Sequence, residues 1–411
     1  MEPRIVISGM GIVSALGAGL ESTMRALRES KSGIADIAYL ATSHQNFPVG
    51  EVKWTDEQMM EMLGIVKETP HTRTSLMGTI AIKEALRQAG IDVFFEYRDR
   101  LAFINGTTVG GMDKTERYYL DFEKTNEYDA YISIHDCGKC SEIIADNSGV
   151  DFYQIQTIST ACSSAANAIL TGAMLLENGV ADMVVAGGCE CLTRFHLNGF
   201  ITLKILDTVP CRPFDANRNG INLGEGAAYV VMETEEHFYK RMPTGKVRPL
   251  CLLSGYANTC DAYHQTASSP QGDGAFMAMR QALGKAGLQP GQIDYINAHG
   301  TGTVNNDLSE AAAIVRVFGE KIPPVSSTKA YTGHTTSAAG GIEAVVSILA
   351  LQNNFIPANL NFANQAEDIP FKPQQEGECP NAPLVHVLSN SFGFGGNCTS
   401  LVFSKYSWSE K

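Results

Sequence analysis

Short apolar runs rich in β-branched residues recur along the chain, and several give way to a turn and then to a run of alanine, serine and glycine. "FYQIQTISTACSSAANAILTGAMLLENG" predicts a strand, a turn, a small-residue helix and an Asn-Gly stop. "PPVSSTKAYTGHTTSAAGGIEAVVSILALQNN" follows the same order and ends on Asn-Asn. "RIVISGMGIVSALG" near the start and "VRPLCLLSGYANTC" from Val247 each predict a strand that breaks at glycine. "ADMVVAGGCE" likewise has a counterpart in "PLVHVLSNSFGFGGNC". Self-similarity with a period of half the chain implies duplication. It places two related lobes at residues 1–246 and 247–411. The small residues Ser163, Ala165, Ala166, Ala168 and Gly172, and later Ala338 to Gly341, predict two closely packed helices between two sheets. Strands alternating with helices make the fold class α/β.

The segment "GGMDKTERYYLDFEKTNEYDAYISIHDCGKCSEIIADNSG" interrupts this plan. It reads either as a solvated helical cap or as a channel wall or subunit contact.

Composition narrows the function. The chain has 411 residues, 44% hydrophobic and 18% charged, with a net charge of −13. That charge argues against nucleic acid and against a polybasic membrane-surface role. No apolar run reaches the ~20 residues that span a bilayer, so the expectation is a cytoplasmic protein. Ten cysteines are too dilute for a disulfide scaffold. "CGKC" (Cys137, Cys140) has half the spacing of a zinc or redox site but lacks a second half, and "CEC" (Cys189, Cys191) reads as packing.

Cys162 stands between a β-branched run and an alanine-rich one, at a predicted helix amino terminus. A buried small residue would suit that place, and so would a nucleophile whose thiolate the helix favours. Two histidines tilt the balance. His299 follows the strand "IDYINA", and His334 follows Lys329 and a glycine ahead of the second small-residue helix. The remaining histidines, including His44, His71 and His196, read as ordinary surface or core residues. A thiol with two imidazoles suits covalent acyl chemistry, and the glycines of "NSFGFGGNC" permit the close N–H approach of an oxyanion hole.

"TACSS", "RPFDANRNGINLGEGAA", "NAHGTGT", "STKAYTGH" and "NSFGFGG" stand in the order seen in β-ketoacyl-[acyl-carrier-protein] synthases. The chain resembles the elongating, KAS I/KAS II-like branch of that family, in the thiolase superfamily, over essentially its whole length. The resemblance implies a thiolase-like fold with five αβαβα layers built from two duplicated lobes. It implies that Cys162 takes an acyl chain as a thioester, and that His299 and His334 bind the malonyl thioester and promote its decarboxylation. The resulting enolate then condenses with the acyl group, lengthening it by two carbons.

By the same resemblance Lys329 supports the histidines, and the N–H groups of Cys162 and Phe394 form the oxyanion hole. Phe394 gates the acyl pocket, Glu343 belongs to a supporting network, and Thr301 and Thr303 line the pantetheine approach. Met112, with Gly110 and Gly111, bears on pocket length. No metal, nucleotide or other cofactor is implied, because acyl groups arrive on a carrier protein's phosphopantetheine arm. The implied partners are an acyl carrier protein and a second subunit, in a homodimer or in a heterodimer with a chain-length-factor-like protein. "YQIQTIST" would cross that interface. Carrier proteins are acidic, so a local basic patch is expected, with Lys67, Arg73, Arg194 and Lys204 as candidates.

Departures from the family pattern bear on substrate. Asn219 stands where an acidic residue is usual, and "GHTTSAAGG" replaces the commoner "GHLLGAAG". They leave fatty acid and polyene, aryl-polyene or other polyketide-type synthesis open. Two competing functions are a non-catalytic chain-length partner, which typically lacks the cysteine, and a Cys-dependent thioesterase, which needs neither Lys329 nor a second histidine.

Overall fold

Glycine does not end the first strand. β1 (Ile5–Ser14) runs through Gly9 and Gly11 and is buried along its whole length. This corrects the sequence expectation, and the reason is a neighbouring helix. A Cβ on Gly9 would lie 2.3 Å from the Ala85 carbonyl oxygen, and one on Gly11 2.1 Å from that of Ala81. The glycines therefore let helix Arg73–Gln88 lie directly on the strand.

The structure, a computed structural model, describes residues 3–66, 68–91, 99–243, 248–377 and 383–406. The lobe boundary placed at 246/247 and the cation Lys67 fall outside these residues. The further strands of the first half are β2 (Gly17–Ala18), β3 (Leu101–Gly106), β4 (Gln154–Ile158), β5 (Met183–Glu190) and β6 (Gly226–Thr234). The second half has β7 (Cys251–Cys260), β8 (Tyr295–Asn297), β9 (Val325–Ser326), β10 (His386–Gly393) and β11 (Asn397–Ser404).

The strands join edge to edge in the order β4-β3-β5-β6-β1-β7-β11-β10-β8-β9, with β2 a short hairpin partner of β1. Outward from β1, the pairings to β6 and β5 are antiparallel and those to β3 and β4 parallel. Outward from β7, the pairings to β11 and β10 are antiparallel and those to β8 and β9 parallel. The two halves thus repeat one topology, as the duplicated sequence pattern implies. The two half-sheets are joined edge to edge where Ile5–Ile7 of β1 pairs with Cys251–Leu253 of β7.

Helix Arg73–Gln88 covers β1 and β6, and helix Asp273–Ala286 covers β7 and β11. Between the half-sheets lie helices Ser164–Glu177 and Ala339–Asn353, in contact with each other. The result is the five-layer αβαβα stack. Helix Ala339–Asn353 is buried from Ala339 to Leu351, which explains its apolar character on every side. Close approach requires its small residues: a Cβ on Gly340 would sit 2.7 Å from that of Ala166.

The interrupting segment forms helices Met112–Thr125, Asp129–Ile132 and Cys137–Ser148. The last of these packs on helix Arg73–Gln88 and on β4, burying Cys140, so this part is outer-layer core rather than solvated cap. Among the described residues no helix is long and apolar enough to cross a membrane.

Candidate active site

The C-terminal ends of the parallel strands converge, and the turns leaving them carry the candidate side chains. Cys162 follows β4, His299 follows β8, Lys329 and His334 follow β9, and Phe394 follows β10. The Cys162 turn is tight. Ala161 takes a positive φ of 52°, rare for a residue with a Cβ. Ser164 Oγ accepts the Thr160 N–H at 2.9 Å, and Ser163 Oγ donates to the Thr160 carbonyl at 2.7 Å. On the opposite side the chain at Gly393 approaches so closely that a Cβ there would stand 2.8 Å from the Thr160 carbonyl oxygen and 3.2 Å from the Cys162 nitrogen. Two backbones pinned this way put Phe394 beside the thiol, where its N–H donates to Cys162 Sγ.

His299 and His334 face each other across the same site. Their ring centroids lie 5.4 Å apart at 85°. The His299 turn is held by Glu310, whose carboxyl oxygens accept the His299 N–H at 2.9 Å and the Gly300 N–H at 2.8 Å. Asn390 also donates to Glu310, at 3.1 Å. His334 is fixed through its backbone, donating to the Asn222 carbonyl at 2.7 Å and accepting from Gly224 at 2.9 Å. Its Nδ1 is buried without a hydrogen-bond partner among the described residues.

Behind His299, Lys329 Nζ lies 3.2 Å from Nδ1 and donates to the His299 carbonyl oxygen. It is also paired with Glu343, both side chains being 2% exposed. Ser391 completes the Glu343 carboxylate at 3.0 Å. A charge buried this deeply persists only with such partners.

Burial sets the protonation states. It pushes the Cys162 thiol up to about 12, against the lowering effect of the Lys329 charge and the Phe394 N–H. The resting residue is therefore a thiol, and burial outweighs the thiolate preference expected from the helix amino terminus. Burial, followed by the Lys329 charge, holds both imidazoles well below the ordinary histidine value, so both are neutral. Burial also raises the Glu310 carboxyl to about 7.

Cys162, His299, His334 and Phe394 line one cleft of about 310 Å³, with Thr301 and Thr303 on its wall. Lys204 is exposed and lines the same cleft. Other expectations need correction. Arg73 is no surface cation: its guanidinium is bound by Glu225 at 2.6 Å and Asp56 at 3.1 Å, with its side chain 11% exposed. Burial of so large a cation demands both carboxylates. Met112 packs against the first-half core at the start of its helix and does not line the cleft. Arg194 is exposed and donates to the Glu116 backbone carbonyl, so part of its hydrogen-bonding capacity is already used. Cys398 is buried in the second-half core.

Sequence reasoning passed over Glu310 and Asn390, which position His299, and over His196, which lies within electrostatic reach of His334 and Glu190. Glu310 lies on helix Val304–Phe318, which follows "NAHGTGT" and folds back on the His299 turn.

Residues 2–237 match the family described as "Beta-ketoacyl synthase, N-terminal domain", and residues 250–363 match "Beta-ketoacyl synthase, C-terminal domain". The chain belongs to the β-ketoacyl synthase family. This family member is 33% identical to the "3-oxoacyl-[acyl-carrier-protein] synthase 2" of Synechocystis sp., over 98% of its own length and 99% of the relative's. The solved structure described as "The ishigamide ketosynthase/chain length factor" superimposes with a TM-score of 0.91 at 28% identity, covering 99% of this chain and 100% of that one. The ketosynthase ApeO, solved in complex with its chain length factor ApeC from Xenorhabdus doucetiae, gives a TM-score of 0.83 at 31% identity, covering 98% of each chain. The synthase shares the thiolase-type fold of these neighbours.

Proposed function

We propose that this β-ketoacyl synthase is an acyltransferase that condenses carrier-protein-bound substrates, with Cys162 as its nucleophile. The observation that carries this reading is the meeting of one thiol and two neutral imidazoles at a single cleft, with the Lys329–Glu343 pair behind one of them.

Cys162 Sγ attacks the thioester carbonyl of an incoming acyl chain, and its proton leaves with the departing pantetheine thiol. The N–H groups of Cys162 and Phe394 receive the oxyanion. The malonyl thioester then enters the cleft past Thr301 and Thr303. Neutral His299 and His334 each donate an N–H to its carbonyl oxygen, stabilising the negative charge that builds as carbon dioxide departs. The enolate carbon attacks the Cys162 thioester, forming the new carbon–carbon bond. The sulfur leaves as thiolate and takes a proton from solvent. No resident cofactor takes part. Lys329 fixes the His299 ring and adds positive potential near the developing enolate.

A non-catalytic partner would have no use for the Cys162 turn, and a thioesterase would not need the second imidazole. β4 is the outermost strand of its half-sheet and exposes Ile155. That free edge supports pairing with a second chain of this fold. A homodimer and a heterodimer with a chain-length-factor-like protein are told apart by the mass of the purified complex.

The test couples malonyl decarboxylation to product. Carbon dioxide release matched one-to-one by a β-ketoacyl product supports condensation. Free acid alone, with no new carbon–carbon bond, refutes it.

A further inference from the structure

The two imidazoles of the cleft are held in unlike ways. Lys329 Nζ reaches Nδ1 of His299, whereas Nδ1 of His334 is buried with no hydrogen-bond partner among the described residues. With no bond at that nitrogen, the His334 ring depends on its main chain for its place. That main chain is held as a short strand would be. Leu223 bridges His334 in parallel. The His334 N–H donates to the Asn222 carbonyl at 2.7 Å, and the Gly224 N–H donates to the His334 carbonyl at 2.9 Å.

The ladder continues outward from Asn222. The Ile221 N–H donates to the Ile205 carbonyl at 2.8 Å, and the Asp207 N–H donates to the Ile221 carbonyl at 3.0 Å. Ile205 and Ile221 line the cleft, as does the exposed Lys204 beside them. Three chain segments, 205–207, 221–224 and 333–334, thus lie side by side from the cleft mouth to the second imidazole.

Beyond them runs a loop whose residues 208–210 are exposed. Asn222, itself 1% exposed, anchors that loop with its side chain. Its Oδ1 accepts the Cys211 N–H at 2.6 Å, and its Nδ2 donates to the carbonyls of Asp207 and Val209 at 3.2 and 3.1 Å. One acceptor and two donors are all used, which is what a buried amide requires. An apolar side chain here would leave the buried Cys211 N–H without this acceptor. The backbone of Asn222 faces His334 while its side chain faces the mouth loop, so one residue joins the two.

On the condensing-enzyme reading above, we propose that Asn222 is the positioning residue for His334. By locking the 221–224 segment to the mouth loop, it holds the imidazole where the enolate oxygen of the malonyl group forms. Asn222 touches no reacting atom. It acts on decarboxylation and not on the loading of Cys162.

The test measures two steps of the full-length protein separately. Loading of Cys162 from an octanoyl carrier protein is read by intact mass, and the loaded protein is then given malonyl carrier protein and its carbon dioxide release followed. Asn222→Ala should lower kcat for carbon dioxide release roughly tenfold, the scale of one or two lost hydrogen bonds. KM for malonyl carrier protein and the rate of loading should both stay within about twofold. Asn222→Leu, which fills the same space without polar groups, should behave alike and keeps the test decisive if the alanine variant folds poorly. An unchanged kcat in a folded variant overturns the proposal while leaving condensation intact. So does a change confined to KM, or an equal slowing of loading and release. No β-ketoacyl product from the unaltered protein overturns the condensing-enzyme reading, and this inference with it.

Discussion

Lys329 Nζ stands 3.2 Å from His299 Nδ1 while the same nitrogen is paired with the buried Glu343. One cation thus orients an imidazole and neutralises a carboxylate that has no water to solvate it. Removing either charge leaves the other buried and alone. Lys329→Met should therefore cost about 3–5 kcal/mol of stability. Lys329→Met with Glu343→Leu should recover most of that loss without recovering malonyl decarboxylation. Denaturant unfolding and a carbon dioxide assay separate the two effects. A double variant that decarboxylates normally would refute the role of the pair.

The protonation of Cys162 has a direct kinetic reading. With the thiol pushed up to about 12, the thiolate fraction rises roughly tenfold per pH unit through the neutral and mildly alkaline range. Alkylation of Cys162 by a small haloacetamide should climb without a plateau from about pH 7 to pH 10. A plateau near neutrality would mean a resting thiolate instead.

His299 and His334 make a matching prediction. Their lowered values keep both rings neutral at and above the ordinary histidine pKa of about 6.5, so decarboxylation should show no break between about pH 6.5 and 8. An unfolded chain protonates these histidines before the folded one does. Their contribution to stability is therefore complete above about pH 6.5 and is lost as the pH falls below it. An inflection in decarboxylation near pH 7 would contradict neutral donors.

Charge at the cleft mouth should separate docking from structure. Lys204→Glu is expected to raise KM for carrier-bound donors about tenfold at low salt and by less at high salt, with kcat little changed. Arg194→Glu should do less, because Glu116 already engages that side chain. Arg73→Ala should instead lower stability by about 3–5 kcal/mol, leaving Glu225 buried without a cation while Asp56 keeps Lys114. Normal unfolding of Arg73→Ala would contradict its assignment to the core.

Gly340→Ala tests the central helix pair by sign. Helix propensity alone favours alanine by up to ~1 kcal/mol. The added Cβ, however, would meet the Ala166 nitrogen at 2.8 Å and its Cβ at 2.7 Å. Overpacking costs about 1–3 kcal/mol, so a net loss of stability is expected. A gain would show that the helices have room to part.

The duplicated architecture was legible because the repeat involves local signals: strand, turn, small-residue helix and stop. Cys162, His299, Lys329 and His334 were legible for the same reason, since each lies in a glycine- or threonine-rich turn next to a strand. What escaped depends on segments far apart in sequence. The glycines of β1 looked like strand breakers because helix Arg73–Gln88, which needs them, lies some seventy residues on. Arg73 looked like a surface cation until Glu225, 152 positions away, closed over it. His196 looked ordinary because its neighbours His334 and Glu190 come from other elements. Met112 carried no local sign that its helix turns it into the core rather than the cleft.

Intact-protein mass spectrometry follows the acyl group onto Cys162 and off it. The protein is first loaded with an acyl carrier protein thioester and then given malonyl carrier protein. The expected result is an acyl adduct that maps to Cys162, is absent in Cys162→Ala, and is discharged by malonyl carrier protein into a β-ketoacyl chain two carbons longer. An adduct that persists in Cys162→Ala, or one released only as free acid, would contradict it.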